Sequence, residues 1–215
     1  MRIGLFGGTF NPIHFGHLRS AEEIRESFQL GQVVFIPSAI PPHKASENII
    51  CPNHRAEMVK IATEGNSYFS VSEIEIERQG KSYSIETIDH FSTTYYPDVT
   101  LFFIMGIDAF SEIDTWKDYR SLFSRCNFVV TTRPGHVLSN PADMIPADIR
   151  NEFSYMSDES RFIHLSDFSV YMRDVTSMDI SSTVIREKIK ENRSIRYFLP
   201  DMVINYIEKH RLYTI

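Results

Sequence analysis

The chain opens with an apolar run, residues 3–6, that leads into the glycine pair Gly7-Gly8 and then into a helical pattern beginning near Phe15. This order predicts a buried strand, a tight turn and a helix start. Glycines let the backbone approach a ligand closely, and a helix N-terminus directs its positive dipole end at the same place. The segment therefore predicts a phosphate site, although a plain strand-to-helix turn would use the same residues.

Two histidines, His14 and His17, lie in this turn together with Thr9. Imidazole N–H groups beside a helix N-terminus can donate to a phosphate whose charge changes during a reaction. Metal ligation is the alternative, but no third soft ligand or suitably spaced carboxylate accompanies the pair in sequence. The glycine spacing fits neither the dinucleotide fingerprint GxGxxG nor the Walker pattern GxxxxGKS/T, which argues against a dehydrogenase and a P-loop ATPase.

Strand-like and helix-like patterns alternate along the chain, which is typical of βαβ units and a parallel sheet. Two near-continuous apolar runs, residues 33–36 and 101–105, suit strands covered on both faces. We therefore expect an α/β, Rossmann-like, doubly wound and mainly parallel sheet with a helical C-terminal cap. Strands are predicted near residues 2–6, 32–36, 70–76, 99–104, 126–131 and 162–165, and helical patterns cover 18–28, 53–64, 85–91, 184–189 and 200–210.

Length and organisation favour a single domain, residues 1–215, with a helical C-terminal part from about residue 181. A chain of this length would also accommodate two small domains. The least regular stretch, from Pro134 to about Ser160, is rich in Pro, Asp, Asn and Ser, and it predicts a short helix or an excursion from the sheet.

The net charge of −6, without any basic tract, argues against binding to nucleic acid or to an anionic membrane. No run approaches the roughly 18 apolar residues that a membrane helix needs, and the first residues lack the pattern of a signal peptide. We therefore expect a cytoplasmic protein. Cys51 and Cys126 form no close-spaced pair and predict neither a disulfide framework nor a zinc knuckle. A homo-oligomer stays open as an alternative to a monomer.

A second polar cluster, residues 180–186, precedes a helical pattern near the C-terminus. One of Ser181 and Ser182 is expected to cap this helix, and Arg186 one turn later would suit solvent equally well. Three hydroxyl residues and a guanidinium at a helix start also make a second polyphosphate site. Together with the first turn, the cluster predicts two phosphate contacts at opposite ends of the chain.

Ligands of an open α/β sheet bind outside the carboxyl ends of its strands. The loops after residues 36, 105 and 131 should therefore open at the same edge as the His14 and His17 turn. They carry three segments, Pro41-Pro42-His43-Lys44, Gly106-Ile107-Asp108 and Arg133-Pro134-Gly135. We expect these four loops to share one cleft.

The two polar segments, residues 7–17 and 180–186, resemble the two signatures of the nucleotidyltransferase superfamily, and specifically of the bacterial nicotinate mononucleotide adenylyltransferases. The resemblance covers nearly the whole chain. Further matching segments are residues 35–44, 78–88, 105–108, 116–117 and 199–213. Asn11, Lys81 and Ser84 depart from the commonest pattern, in which Asp, Pro and Thr stand at these positions, and the stretch 134–160 matches least well.

The resemblance implies transfer of the adenylyl group of ATP to nicotinate mononucleotide, giving deamido-NAD and pyrophosphate, with Mg²⁺ carried by the ATP phosphates rather than by protein ligands. It implies that His17 stabilises the α-phosphate under attack and that Trp116 stacks on the pyridine ring. The implied catalytic residues are His14, His17 and Arg186. The implied ATP-binding residues are Gly7, Gly8, Thr9, Phe10, His14, His17, Gly106, Asp108, Ile180, Ser181, Ser182, Thr183 and Arg186. The implied mononucleotide-binding residues are Lys44, Ser84, Ile85, Trp116 and Lys117.

Several alternatives share part of this pattern. Nicotinamide mononucleotide or phosphopantetheine would be other adenylyl acceptors, and glycerol-phosphate-type cytidylyltransferases carry the first signature. Class I aminoacyl-tRNA synthetases use a related two-histidine turn, but the chain lacks their lysine-rich second signature. A nucleotide sensor without catalysis is the alternative outside the enzymes; the presence of His14, His17 and Arg186 argues against it.

Overall fold

A computed structural model describes residues 1–42, 49–95, 98–132 and 141–214. Eight described strands form one sheet in the order β3-β2-β1-β4-β5-β8-β7-β6. The pairs from β3 to β8 are parallel, whereas β7 pairs antiparallel with β8 and with β6. The strands are β1 Arg2–Gly8, β2 Gln32–Pro37, β3 Phe69–Val71, β4 Thr100–Gly106, β5 Asn127–Thr132, β6 Phe153–Met156, β7 Arg161–His164 and β8 Ser169–Asp174.

The helices cover both faces of the sheet. They are α1 Phe15–Ser27, α2 Pro52–Thr63, α3 Ile74–Glu77, α4 Ser84–Tyr95, α5 Ile107–Phe110, α6 Tyr119–Leu122, α7 Ser182–Lys190 and α8 Asp201–Lys209. No helix in these ranges is long and apolar enough to cross a membrane. The predicted doubly wound, mainly parallel α/β sheet is confirmed.

Two hydrophobic clusters, one on each face of the sheet, account for the near-continuous apolar strands. In β2, Val33 and Phe35 belong to one cluster, while Val34 and Ile36 belong to the other. Because alternate side chains of a strand point to opposite faces, a strand buried on both faces must be apolar at every position. The C-terminal helices α7 and α8 contribute Ile185, Val203 and others to the first cluster, beside α1 and α2.

The predicted strand at residues 70–76 is wrong in its second half. Strand β3 ends at Val71, and Ile74–Glu77 forms one turn of helix in which the Glu73 carbonyl accepts from the N–H groups of Ile76 and Glu77. The sequence predicted a single strand through the whole of this segment. Glu75 is buried, because the helical turn directs it inward.

Strands β6 and β8 were not predicted, and the predicted strand 162–165 is β7. β6 is only four residues long, and three of its residues are exposed, so it shows no clear hydrophobic period. The irregular stretch before residue 160 contains short 3₁₀ helices, which agree with the predicted short helix, and the edge strand β6, which belongs to the sheet and is not an excursion from it. Its residues 134–140 lie outside the described ranges.

Candidate active site

Two cavities open at the carboxyl ends of the central strands, where the strand order reverses between β1 and β4. The first has a volume of about 740 Å³ and the second of about 430 Å³. They share one wall, built from the turn after β1 and the turn after β4. The residues of this shared wall are Gly7, Gly8, Thr9, Gly106, Asp108 and Ala109.

The first cavity joins the two polar segments that are far apart in sequence. It is lined by the whole of the predicted ATP site, from β1 and α1, from β4 and α5, and from α7 with the residues before it. These residues are Gly7, Gly8, Thr9, Phe10, His14, His17, Gly106, Asp108, Ile180, Ser181, Ser182, Thr183 and Arg186. The structure therefore brings every predicted ATP-binding residue to one cavity, whose N-terminal helix ends favour an anion.

His14 and His17 form a stacked pair at the start of α1, with ring centroids 3.7 Å apart. The backbone N–H of His14, the N-cap, donates to Nδ1 of His17 at 3.2 Å. An accepting Nδ1 places the proton of a neutral imidazole on Nε2, which turns Nε2 into a donor. The cap thus fixes both the position and the tautomer of His17.

His14 is buried, and burial lowers its pKa to about 4. Its ring is therefore neutral at pH 7 and can act as a hydrogen-bond donor rather than as a cation. Among the described residues, Nδ1 of His14 has no hydrogen-bond partner. An unsatisfied buried nitrogen at the wall of a polar cavity is a group that a ligand can satisfy.

Two glycines are required by the close packing of this turn. A Cβ on Gly16 would lie 3.0 Å from Cε1 and from Nδ1 of His14, and a Cβ on Gly8 would lie 2.8 Å from the ring of Phe10. Phe10 itself has a φ of 45° and makes an edge contact with His17 at 5.2 Å between ring centroids. The glycines therefore leave room for the aromatic rings that surround His17.

Helix α7 is hydrogen-bonded directly to the histidine turn. Ser181 caps α7, because its hydroxyl accepts from the N–H of Val184 at 3.2 Å. The hydroxyl of Ser182 donates to the Pro12 carbonyl at 2.8 Å, and Nη1 of Arg186 donates to the Asn11 carbonyl at 2.9 Å. These bonds hold the N-termini of α1 and α7 against the same cavity. The capping predicted for one of the two serines is thus confirmed for Ser181.

Asn11 is buried behind this turn. Its Oδ1 accepts from the hydroxyl of Tyr213 at 3.0 Å and from the N–H of Ile50 at 3.4 Å. A neutral amide oxygen serves both donors, and burial raises the pKa of the Tyr213 hydroxyl, which keeps the proton on its oxygen. The C-terminal segment is thereby attached to the turn that carries the histidines.

The second cavity is lined by three of the predicted mononucleotide residues, Ser84, Trp116 and Lys117. Trp116, the only tryptophan of the chain, is half-buried and makes an edge contact with Phe103. Ser84 begins helix α4, so the N-terminus of that helix opens at this cavity. Nζ of Lys117 donates to Glu86 at 2.8 Å and lies over the ring of Tyr83. The cavity combines an aromatic wall with backbone donors.

Of the predicted mononucleotide residues that the structure describes, Ile85 is the one that does not line this cavity. The Ile85 side chain is buried in the hydrophobic cluster on that face of the sheet. Lys44 lies outside the described residues, as do His43 and the Arg133-Pro134-Gly135 segment. Pro41, Pro42 and the Gly106-Ile107-Asp108 turn do reach the edge as expected. Asp108 lies inside the short helix α5, whose N-cap is Gly106.

Sequence reasoning missed several residues that line the two cavities. Thr131, Thr132 and residues 175–178 complete the first cavity, and Ser38, Glu75 and Ser82 line the second. Glu75 accepts from the hydroxyl of Thr87 at 2.7 Å, and burial raises the pKa of its carboxyl. The loop after β5 was predicted to reach the edge, but no local pattern marked the segment after β8, a strand that was itself missed.

Comparisons with known proteins agree with this geometry. A model of the cytidylyltransferase-like family matches residues 5–188. Proteins named "probable nicotinate-nucleotide adenylyltransferase" from Citrifermentans bemidjiense and Geobacter metallireducens are each 46% identical, covering 99% and 100% of this chain and 98% and 99% of those proteins. A solved structure of the Plasmodium falciparum nicotinic acid mononucleotide adenylyltransferase complexed with NaAD superposes with a TM-score of 0.73 over 99% of this chain and 97% of that one.

At 19% identity, the Plasmodium falciparum structure establishes the fold alone. The bacterial relatives are more informative, since they match at more than twice that identity over almost their whole length. The chain belongs to the nicotinate-nucleotide adenylyltransferases of the cytidylyltransferase-like family.

Proposed function

We propose that this chain transfers the adenylyl group of ATP to nicotinate mononucleotide, giving nicotinate adenine dinucleotide and pyrophosphate. The observation that carries the proposal is the pair of cavities with a common wall at Gly8 and Thr9. One cavity presents histidines, hydroxyls and two helix N-termini, and the other presents Trp116. Two substrates bound there would meet at the shared wall.

ATP occupies the first cavity in this proposal. Its β- and γ-phosphates lie at the N-terminus of α7, where Arg186 and the Ser181-Ser182-Thr183 segment offer a guanidinium, hydroxyls and backbone N–H groups. The α-phosphate lies at the N-terminus of α1, beside Gly8 and His17. The ribose lies near Asp108, which is exposed at the cavity wall.

The mononucleotide occupies the second cavity. An offset stack of its pyridine ring on Trp116 would orient the ring and contribute about 1 kcal/mol beyond burial. The nicotinate carboxylate faces the N-terminus of α4 at Ser84, which favours an acid over an amide because N–H donors bind a carboxylate more strongly. Lys44 is a further phosphate contact in this proposal, and backbone groups of Ile85 and Lys117 complete the carboxylate site.

The chemistry needs no general base. The attacking group is a phosphate monoester, whose second pKa of about 6 leaves it mostly dianionic at pH 7. One of its oxygens attacks the α-phosphorus, and the bond from that phosphorus to the bridging oxygen of pyrophosphate breaks in line. The protein contributes alignment and charge stabilisation. The Nε2–H of His17 donates to the α-phosphate oxygen, and Arg186 offsets the charge of the leaving pyrophosphate.

Mg²⁺ is the proposed metal. The described residues contain no group of three or more His, Cys, Asp or Glu side chains that could hold a metal ion, and Asp108 is the one described carboxylate on the wall of the first cavity. Such a wall suits Mg²⁺, which keeps several waters and binds largely through substrate phosphates. When bound, the ion would neutralise charge on the β- and γ-phosphates.

The remaining proposals concern partners and location. The net charge of −6 supports small-molecule substrates rather than a nucleic-acid or membrane partner. The proposed location is the cytoplasm. A homo-oligomer is the alternative to a monomer, and its test is the mass of the protein in solution.

A pyrophosphate-release assay tests the proposed function. Purified protein, ATP and Mg²⁺ are incubated separately with nicotinate mononucleotide, nicotinamide mononucleotide and phosphopantetheine, and CTP is supplied with glycerol phosphate. We expect the highest kcat/KM with nicotinate mononucleotide. A higher value with any other acceptor would reassign the substrate, and ATP binding without release would identify a nucleotide sensor.

A further inference from the structure

Arg55 of helix α2 is a fully buried cation that neither cavity exposes. Its guanidinium donates to four backbone carbonyls: Nη1 to Thr9 at 2.7 Å, Nη2 to Ser38 at 2.6 Å and Ala39 at 2.9 Å, and Nε to Ile50 at 3.1 Å. No carboxylate of the described residues lies within ion-pair distance of it. All of its described partners are main-chain oxygens of loops.

The four carbonyls belong to two loops that build the two cavities, the turn after β1 and the connection from β2 to α2. Thr9 lies in the turn after β1 and in the shared wall. Ser38, in the loop after β2, lines the second cavity. Ile50 follows Ile49, which lines the first. The planar guanidinium of Arg55 therefore sets the distance between Thr9, in the wall shared by the two cavities, and Ser38, in the wall of the second cavity.

The loop after β2 is held from its other side by the segment that precedes α4. The N–H of Ala39 donates to the hydroxyl of Ser82 at 2.8 Å, and the N–H of Ser82 donates to the Ile40 carbonyl at 3.0 Å. Ser82 also lines the second cavity. Hydrogen bonds thus run from Thr9 through Arg55 to the loop after β2, and from that loop to the start of α4.

Burial of a guanidinium without a carboxylate is costly, and burial lowers the pKa of Arg55. Apolar side chains of similar volume often stabilise a fold as well as buried ionic groups do. The fold alone therefore gives little reason for a cation here. A fixed spacing between the loops is a stronger reason for an arginine at this position, because the five N–H donors of a guanidinium lie in one plane and can bridge several carbonyls.

We infer that Arg55 is a positioning residue that aligns the two substrate cavities for in-line transfer. The inference rests on the proposed two-substrate reaction. Each cavity binds its own substrate largely with its own residues, whereas the rate of transfer depends on how the two bound substrates are aligned across Thr9. Misplacement of reacting groups by about 1 Å can lower a rate by roughly 100-fold. Loss of the bridge should therefore affect turnover much more than binding.

The test uses Arg55→Lys, which keeps the charge but cannot bridge four carbonyls, and Arg55→Met, which removes both charge and donors. Asn127→Ala is the matched control. Asn127 is also buried and bridges two backbone groups, the carbonyl of Leu101 and the N–H of Ser169. It lies at the amino end of β5, whereas the cavities open at the carboxyl ends of the strands. The fluorescence of Trp116 reports mononucleotide binding, calorimetry reports ATP binding, and pyrophosphate release reports kcat.

At a temperature where circular dichroism shows every variant folded, we expect Arg55→Lys to lower kcat by about 30-fold or more while each dissociation constant changes by less than about 3-fold. Asn127→Ala should lower the melting temperature without changing kcat. Should Arg55→Met fail to fold, Arg55→Lys decides alone. A wild-type kcat in Arg55→Lys, or weaker binding of both substrates with kcat unchanged at saturation, would overturn the inference.

The wild-type protein, assayed with each acceptor, tests the proposed function separately. The ratio of variant kcat to wild-type kcat is measured with the acceptor that the wild type uses best. A preference for a different acceptor would therefore overturn the assignment of nicotinate mononucleotide without affecting the test of Arg55.

Discussion

Gly16→Ala tests the close packing at the start of α1. The added Cβ would lie 3.0 Å from two ring atoms of His14, whereas ordinary van der Waals contacts of a Cβ begin near 3.4 Å. The His14 ring would have to move by about 0.4 Å or more, and it is buried. Overpacking of this kind costs about 1–3 kcal/mol, and alanine recovers at most about 1 kcal/mol of helix propensity. We expect the free energy of unfolding to fall by about 1–2 kcal/mol.

The same shift should reach the chemistry. His14 stacks on His17 at 3.7 Å and supplies the N–H that holds Nδ1 of His17, so a displaced His14 moves the proposed donor to the α-phosphate. We expect kcat to fall by about 10- to 100-fold. Urea unfolding and pyrophosphate release measure the two effects.

Gly31→Ala is the control for this substitution. Its Cβ would come closest to the flexible end of Met1, at 3.3 Å, and would lie at an ordinary contact distance of 3.7 Å from the Arg2 carbonyl oxygen, near the amino end of β1. It should leave kcat unchanged. Wild-type kcat together with unchanged or increased stability in Gly16→Ala would refute the packing argument.

Substitutions at three further positions, His17, Trp116 and His14, address the substrates and the pH dependence. His17→Ala should lower kcat by about 100-fold or more, and His17→Asn, whose Oδ1 can still accept from the His14 N–H, should lose as much activity with less loss of stability; near-normal turnover in both would exclude the transition-state role. Trp116→Ala should raise the KM for the mononucleotide by about 10-fold and leave that for ATP unchanged, and an equal effect on both would exclude stacking. Because the pKa of His14 is lowered to about 4, the unfolded state binds a proton first as pH falls, so stability should decrease by up to about 3 kcal/mol from pH 6.5 to pH 4. His14→Gln should remove that part of the decrease, and an unchanged pH profile would contradict the lowered pKa.

The parts of the molecule that the sequence predicted are those with a local cause. The strand, turn and helix at residues 2–27 follow from an apolar run, two glycines and a helical period, all within one segment. The capping role of Ser181 likewise depends on a residue three positions away. Local rules also placed the two cavity walls at one sheet edge, because parallel strands deliver their following loops to the same side.

The parts that were missed depend on contacts distant in sequence. The hydrogen bond between Tyr213 and Asn11 spans 202 residues, and Arg55 reaches Thr9 over 46. Nothing local distinguishes Arg55 from a solvated arginine of an amphipathic helix. The strand predicted through Glu75 failed for a related reason, since the segment forms a helical turn whose buried Glu75 carboxyl accepts from Thr87 of α4.

The central claim is that the two bound substrates react in one in-line displacement at the α-phosphorus, without a covalent adenylyl-protein intermediate. The most direct measurement uses a single diastereomer of ATP with sulfur in place of one α-phosphate oxygen, and determines the configuration of that phosphorus in the dinucleotide product. A single displacement predicts inversion of configuration. Retention would require two successive displacements, with a covalent adenylyl group on the protein, and would contradict the account.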